Sequence, residues 1–339
     1  MTHRPDRRRL LGAALGAAAV GALPRLATAA VAATAPAAAT LLRATDVHVD
    51  GYPTVAAVRW IGEQLARETD GRLGVRMYFS GQLGSEAVTT QLARFGAVDF
   101  ARVYLAAVNN LVPSTQVLSL PYLVHSSAHL QRVLDGAVGQ RILADFAKRD
   151  LVGLAFYDCG SRNFYNTRRP LHVPADLHGM KLRVPPSDLF MQMVRAFGAN
   201  PTPLSYGEVF TALQTHLIDG AENNAKSFHS SRHFEVARYW SESAHAWTPD
   251  VLLMSRQAYE ALAPADRERV RRLASASVPV MRAAWAGTEA EARAKVAADG
   301  VEIDAVDRPA FARATEHLLL DYRTRPGLAA LYDQVQALA

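Results

Sequence analysis

The chain has 339 residues, with 37 Lys plus Arg against 32 Asp plus Glu and a formal net charge of +5. Half of its residues are hydrophobic, enough for one large or two medium domains, and its single cysteine, Cys159, excludes an internal disulfide and any metal cluster built on several thiolates. Residues 1–29 hold five Arg and one Asp, so the rest carries only about +1, and a nucleic-acid or membrane-surface function loses its electrostatic support.

That first segment reads as an export signal. Arg7, Arg8 and Arg9 precede an Ala-rich apolar run from Leu10 to Leu23, and Ala27-Thr28-Ala29 suits a small-residue cleavage site. The arginine run followed by two leucines is similar to a twin-arginine signal, although Leu10 stands where Phe is commonest. The apolar run falls short of the ~20 residues that span a bilayer, so the mature chain is expected to be exported without inserting in the membrane. Residues 30–40 are an Ala-rich lead-in of low complexity.

From there strand and helix patterns alternate. Leu41 to Thr45 reads as a strand and leads to His48 in a loop. Pro53 opens a helix with Val58, Ile61 and Leu65 on its buried face, stopped by Gly71. Leu73, Val75, Met77 and Phe79 alternate as a strand does. Gly81 to Glu86 opens the next helix, and Val98 to Val103 forms a third strand that brings Arg102 and Tyr104 to its end. On the residues alone His48 is a solvated loop histidine. Glu86 is accounted for by the dipole of the helix it begins, and Arg102 by a long side chain reaching solvent. The apolar, Pro-containing stretch Leu111–Leu123 reads as a buried strand, helices are expected at 129–134 and 139–148, and Leu151–Tyr157 is an apolar strand that crosses to a second domain.

The most informative stretch is His178–Asn224. Met180–Val184 reads as a strand stopped by Pro185 and Pro186, after which Ser187 or Asp188 caps a helix bearing Phe190, Met193, Val194 and Phe197. A Pro-rich turn, a helix from Tyr206 and a final element ending Asp219-Gly220-Ala221-Glu222-Asn223-Asn224 complete the grammar of a mostly parallel α/β sheet. Such sheets gather ligand groups at strand carboxyl ends, where Arg183 and Asn223 fall. Beyond it, Val251–Met254 reads as a strand returning to the first domain, and 264–298 as one long helix. Helices at 308–322 and 328–338 end the chain. His229 and His233 have a zinc-like spacing without the accompanying Glu of a metalloprotease motif, and Cys159 reads as a buried small residue.

Arg183 in KLRVP, the segment GANPTPLSYGEVFTALQT and the run IDGAENN together resemble the solute-binding subunit of tripartite ATP-independent periplasmic (TRAP) transporters, the DctP family, from about Leu42 to the C-terminus. The segments TDVHVDGYPT, GQLGSE and VDFARV most resemble its branch for sugar acids, particularly hexuronates. The resemblance implies a two-lobed α/β periplasmic binding protein with a cleft between lobes and a long helix bracing both. Lobe I would be 41–160 plus about 248–287, and lobe II about 161–247 plus 288–339. It implies no enzyme activity and no cofactor. The chain would be a monomeric receptor that captures a small carboxylate, best a hexuronate such as D-glucuronate or D-galacturonate, and delivers it to the TRAP membrane permease.

Residue by residue, the resemblance makes Arg183 the principal carboxylate anchor and adds Arg162, Asn223 and Tyr206 from the same side. His48, Glu86, Arg102 and Tyr104 would close from the first lobe. Tyr104 stands where that branch tends to have Asn, and Pro185-Pro186 where relatives often carry Gln, so a C4-dicarboxylate or other organic acid stays open as ligand. A sensor for a membrane kinase and a periplasmic metal enzyme using His229 and His233 are the functional alternatives.

Overall fold

The computed structural model describes residues 39–339; the expected export signal lies outside the described residues. The first sheet begins with β1 (Thr40–Thr45), α1 (Pro53–Glu68), β2 (Leu73–Tyr78), α2 (Glu86–Arg94) and β3 (Phe100–Tyr104). Pro53 sits in the first turn of α1, where its missing N–H is no loss, and Val58, Ile61 and Leu65 are buried. The Ser85 hydroxyl accepts from the Val88 N–H, which starts α2 with Glu86 as its first residue.

The stretch expected as a buried strand, Leu111–Leu123, is instead a 3-10 segment over Pro113–Ser119. Pro113 is in its first turn, and the Thr115 hydroxyl turns back to bond Val112 O at 2.6 Å and Asn109 Oδ1 at 2.9 Å. Local hydroxyl-to-backbone bonds of this kind compete with a strand ladder, and apolar content alone does not register them. Next come α3 (Ser127–Asp135), α4 (Ala137–Asp145) and β4 (Leu151–Tyr157).

The second sheet is built from β5 (Arg162–Asn166), β6 (Lys181–Val184), α5 (Asp188–Ala196), β7 (Asn200–Pro203), α6 (Val209–Gln214), β8 (Gly220–Asn223), α7 (Ala225–Ser230) and β9 (Tyr239–Ala246). The chain then returns through β10 (Asp250–Ser255), α8 (Arg256–Ala261), α9 (Pro264–Trp285), α10 (Thr288–Ala298), β11 (Glu302–Ala305), α11 (Arg308–Thr324) and α12 (Ala329–Gln336). Strand order is β2-β1-β3-β10-β4 in the first sheet and β11-β9-β5-β8-β6-β7 in the second. β10 runs antiparallel to both its neighbours and so does β5, while every other pairing is parallel. The reversed strand in each sheet is thus the first one formed after the chain crosses from the other, so two crossovers, 158–161 and 247–249, link the sheets.

Two further expectations need correction. The single long helix over 264–298 breaks between α9 and α10, where Ala286 is extended and Gly287 takes φ +80°, a left-handed conformation that favours glycine. The last helix does not stay with the second sheet: Leu331, Tyr332 and Val335 join the apolar cluster of β3, β4, α3 and α4. Trp285, at the end of α9, packs against the apolar clusters of both sheets, which is how this helix braces them.

Candidate functional site

Between the sheets lies a narrow cavity with about 360 Å³ of space not filled by atoms, part of it open to solvent. Seven of the eight residues singled out from sequence line it: His48, Glu86, Tyr104, Arg162, Arg183, Tyr206 and Asn223. Val47, Tyr52, Cys159, Asn224, Ser227 and Asp250 complete the wall.

Arg102 is the exception. Its side chain is entirely buried, with an ion pair to Asp46 and others to Glu86 and Asp250, each at 3.1 Å. It stands behind the first-sheet wall and holds three carboxylates in place. Burial works against the Asp46 carboxylate, but Arg102 and His48 together hold it well below the usual aspartate range. Asp46 also accepts from Thr54 Oγ1 at 2.6 Å and from the His48 N–H at 2.9 Å, which fixes the loop after β1. The His48 ring then stacks on Tyr52, centroids 3.8 Å apart and 7° from parallel. Glu86 Oε1 accepts from the Tyr104 N–H at 2.8 Å, tying the start of α2 to the end of β3.

The second-sheet wall is organised by arginines. Arg162, at the first position of β5, donates to Glu222 Oε1 at 2.9 Å and Asn223 Oδ1 at 3.0 Å. Burial opposes its charge, yet Glu222 keeps it firmly protonated, and its guanidinium lies 4.2 Å from the centre of the Tyr104 ring. Arg183, on β6, is also buried, and its one hydrogen bond among the described residues runs from Nε to Leu204 O at 2.9 Å. No ion pair among the described residues involves it, and burial pulls its pKa below the ordinary value. Its two terminal nitrogens make no hydrogen bond among the described residues, and Arg183 lines the cavity, so its guanidinium is free to meet an anion there.

Asn224 caps α7 by accepting from the Ser227 N–H at 2.7 Å, and Ser227 then reaches across the cavity. Its hydroxyl meets Tyr52 Oη at 2.8 Å and His48 Nε2 at 3.4 Å. Tyr206 Oη donates to Ser227 O at 3.4 Å, and its ring centroid lies 5.4 Å from that of His48. The two walls are therefore in direct contact.

Sequence reasoning missed Asp250, Tyr52, Ser227 and Glu222. Glu222 lay in plain view beside Asn223; the others become visible only when the crossover at 247–249 and the loop after β1 are brought to one cavity. The metal alternative finds no support in position: His229 is on α7, whereas His233 lies beyond it, buried with Nδ1 2.7 Å from Tyr165 Oη and its pKa pulled down to about 3 by burial. No group of three or more His, Cys, Asp or Glu is arranged to hold a metal ion among the described residues. Cys159 is buried with Sγ donating to Thr248 O, and burial pushes its thiol well above the ordinary range.

The family DctP, "Bacterial extracellular solute-binding protein, family 7", matches residues 45–324. The chain belongs to this family. A solute-binding protein of Chromohalobacter salexigens is 34% identical over 87% of this chain and 88% of its own. Among solved structures, a TRAP periplasmic solute-binding protein of a Bradyrhizobium species in complex with D-galacturonate is 42% identical. It covers 88% of this chain and all of its own, with a TM-score of 0.86. One from Roseobacter denitrificans with bound β-D-glucuronate is 37% identical over 88% of this chain and 99% of its own, with a TM-score of 0.85. The DctP protein described here is thus a two-lobed periplasmic receptor of a TRAP transporter, binding a small molecule for delivery to the membrane permease. No helix of the described residues is long and apolar enough to cross a membrane.

Proposed function

We propose that this DctP protein captures a hexuronate, D-galacturonate or D-glucuronate, in the cavity between its sheets. The observation that carries this reading is the buried Arg183 guanidinium, which has a carbonyl for Nε and no carboxylate for its other two nitrogens. A ligand carboxylate supplies the missing acceptors in bidentate geometry, which a guanidinium fork matches and an ammonium does not. Arg162 and Asn223 add donors from the same side, Tyr206 packs against the sugar ring, and His48, Glu86 and Tyr104 meet its hydroxyls. Several well-placed polar groups in a small cleft are the usual makeup of a site for a small polar ligand. The relatives with bound D-galacturonate and D-glucuronate support the same class.

The narrow cavity and the Tyr52–Ser227 link across it describe a closed arrangement, so the sugar acid enters by hinge opening at 158–161, 247–249 and Ala286–Gly287. We assign lobe I to the first sheet and lobe II to the second, and the twin-arginine route to the export signal. Thermal melts of the mature protein against hexuronates, hexonates, C4-dicarboxylates, lactate and sialic acid test the assignment. A hexuronate at about 1,000 times its Kd stabilises the fold by about 4 kcal/mol, several degrees of melting temperature. A shift with dicarboxylates and none with either hexuronate overturns it.

A further inference from the structure

We infer that Asp250 is a specificity residue of this site: it accepts hydroxyl groups of the bound sugar and turns away ligands that carry a second carboxylate. This rests on the hexuronate reading above and deepens it to hydroxylated monocarboxylates. Asp250 is the first residue of β10, placed by the return crossover opposite Tyr104 on β3 and Tyr157 on β4. Only 2% of it is exposed, and it lines the cavity. Oδ1 meets Arg102 at 3.1 Å, whereas Oδ2 is buried with no hydrogen-bond partner among the described residues.

A buried carboxylate oxygen without a donor is expensive, and the cavity is where a donor can come from. We assign that donor to the ligand, because none of the charged or titratable groups facing Asp250 makes a hydrogen bond to Oδ2 among the described residues. They are Arg102 from β3, Asp46 and His48 from the loop after β1, Glu86 from α2, Tyr52 ahead of α1, and Cys159 from the other crossover. Tyr52 is occupied with Ser227, Cys159 with Thr248 O, and the terminal nitrogens of Arg102 go to Asp46, Glu86 and Oδ1, while its Nε makes no hydrogen bond, to Oδ2 or to any other atom, among the described residues. Three carboxylates gathered about one guanidinium leave this wall negative. A sugar hydroxyl meets it favourably and a second ligand carboxylate does not. The opposite wall, with Arg162 and Arg183, takes the single carboxylate. The cleft therefore orients its ligand: acid group toward the second sheet, hydroxyls toward the first.

Calorimetric titration of D-glucuronate, D-galacturonate and succinate into the wild-type protein and Asp250→Asn tests this. The expected result is succinate at least 100-fold weaker than the better hexuronate in wild type, with that hexuronate weakened tenfold or more by the substitution and the gap to succinate narrowed tenfold. Unchanged hexuronate affinity in the variant, or equal affinity for succinate in wild type, overturns the role of Asp250. Failure of both hexuronates to bind wild type overturns the hexuronate reading instead. Should Asp250→Asn not fold, the wild-type protein decides alone: hexuronate affinity falls at least fivefold between pH 7.5 and 5 as the carboxylate is protonated, and a flat profile contradicts the assignment.

Discussion

The two walls of the cleft handle buried charge in opposite ways. On the first-sheet side Asp46, Glu86 and Asp250 surround one guanidinium, Arg102. On the second-sheet side two guanidinium groups, Arg162 and Arg183, face one carboxylate, Glu222, which of the two pairs with Arg162 alone. One wall holds an excess of acid and the other an excess of base, and neither is neutral by itself. A structural ion pair is complete without a ligand; in the proposed reading these two clusters are completed by one that brings a carboxylate to one side and hydroxyls to the other. Arg102 and Arg183 are alike in sequence and burial, and their partners alone separate scaffold from site.

Breaking the first wall should have the largest effect. Replacing Arg102 with Met leaves three carboxylates without their cation, and losing one partner of a buried ionic cluster costs about 3–5 kcal/mol. The ligand-free melting temperature of Arg102→Met is expected to fall by many degrees. Breaking the second wall should do the reverse: Arg183→Lys keeps the charge, loses the fork and leaves the ligand-free melt nearly unchanged. Its hexuronate affinity drops roughly 10- to 150-fold, the equivalent of about 1.5–3 kcal/mol for a charge-assisted hydrogen bond. A large melt loss in Arg183→Lys, or none in Arg102→Met, would erase the distinction between them.

The pH dependence of ligand-free stability sharpens the comparison. Burial pushes Asp250 up to about 6, Arg102 only partly opposing it, and burial also lifts Glu289 to about 7. A carboxyl whose folded pKa lies above its unfolded value opposes folding when ionised, so stability should rise as pH falls from about 8 to 5, by an amount on the order of 1.4 kcal/mol for Asp250. Glu222 and Asp46 behave in the opposite sense. Burial disfavours their charge, but Arg162 and Arg102 hold them low, so their contribution is lost below about pH 4. Denaturant titrations across this range should give a stability maximum near pH 5; a monotonic rise to pH 8 would contradict it. The smallest effect belongs to the link between walls. Tyr52→Phe removes the 2.8 Å bond to Ser227 and should weaken hexuronate binding about two- to tenfold by disfavouring closure.

Much of this was legible in sequence because the local signals agree with the global fold. Pro53, Ser85 and Ser187 start helices where their chemistry says they should, and the strand bearing Arg183 stops at the prolines. Less legible were features set by distant partners. The 3-10 segment at Pro113–Ser119 looked like a strand because its apolar content was visible and its hydroxyl bonds were not. The break at Gly287 was hidden by strong helix formers on both sides. Arg102 was read as a ligand contact because a charge at a strand end is equally consistent with a cleft or an ionic cluster, and Asp46 and Asp250, 56 and 148 residues away, decide which. Asp250 itself has no motif: its significance arises from where the return crossover puts it.

The most direct test of the central claim compares D-glucuronate with D-glucuronamide by titration calorimetry on the mature protein. The two differ only in whether an anion faces Arg183. The acid is expected to bind about 100-fold more tightly than the amide. Equal affinities would contradict the account, because the buried guanidinium would then be serving something other than the ligand carboxylate.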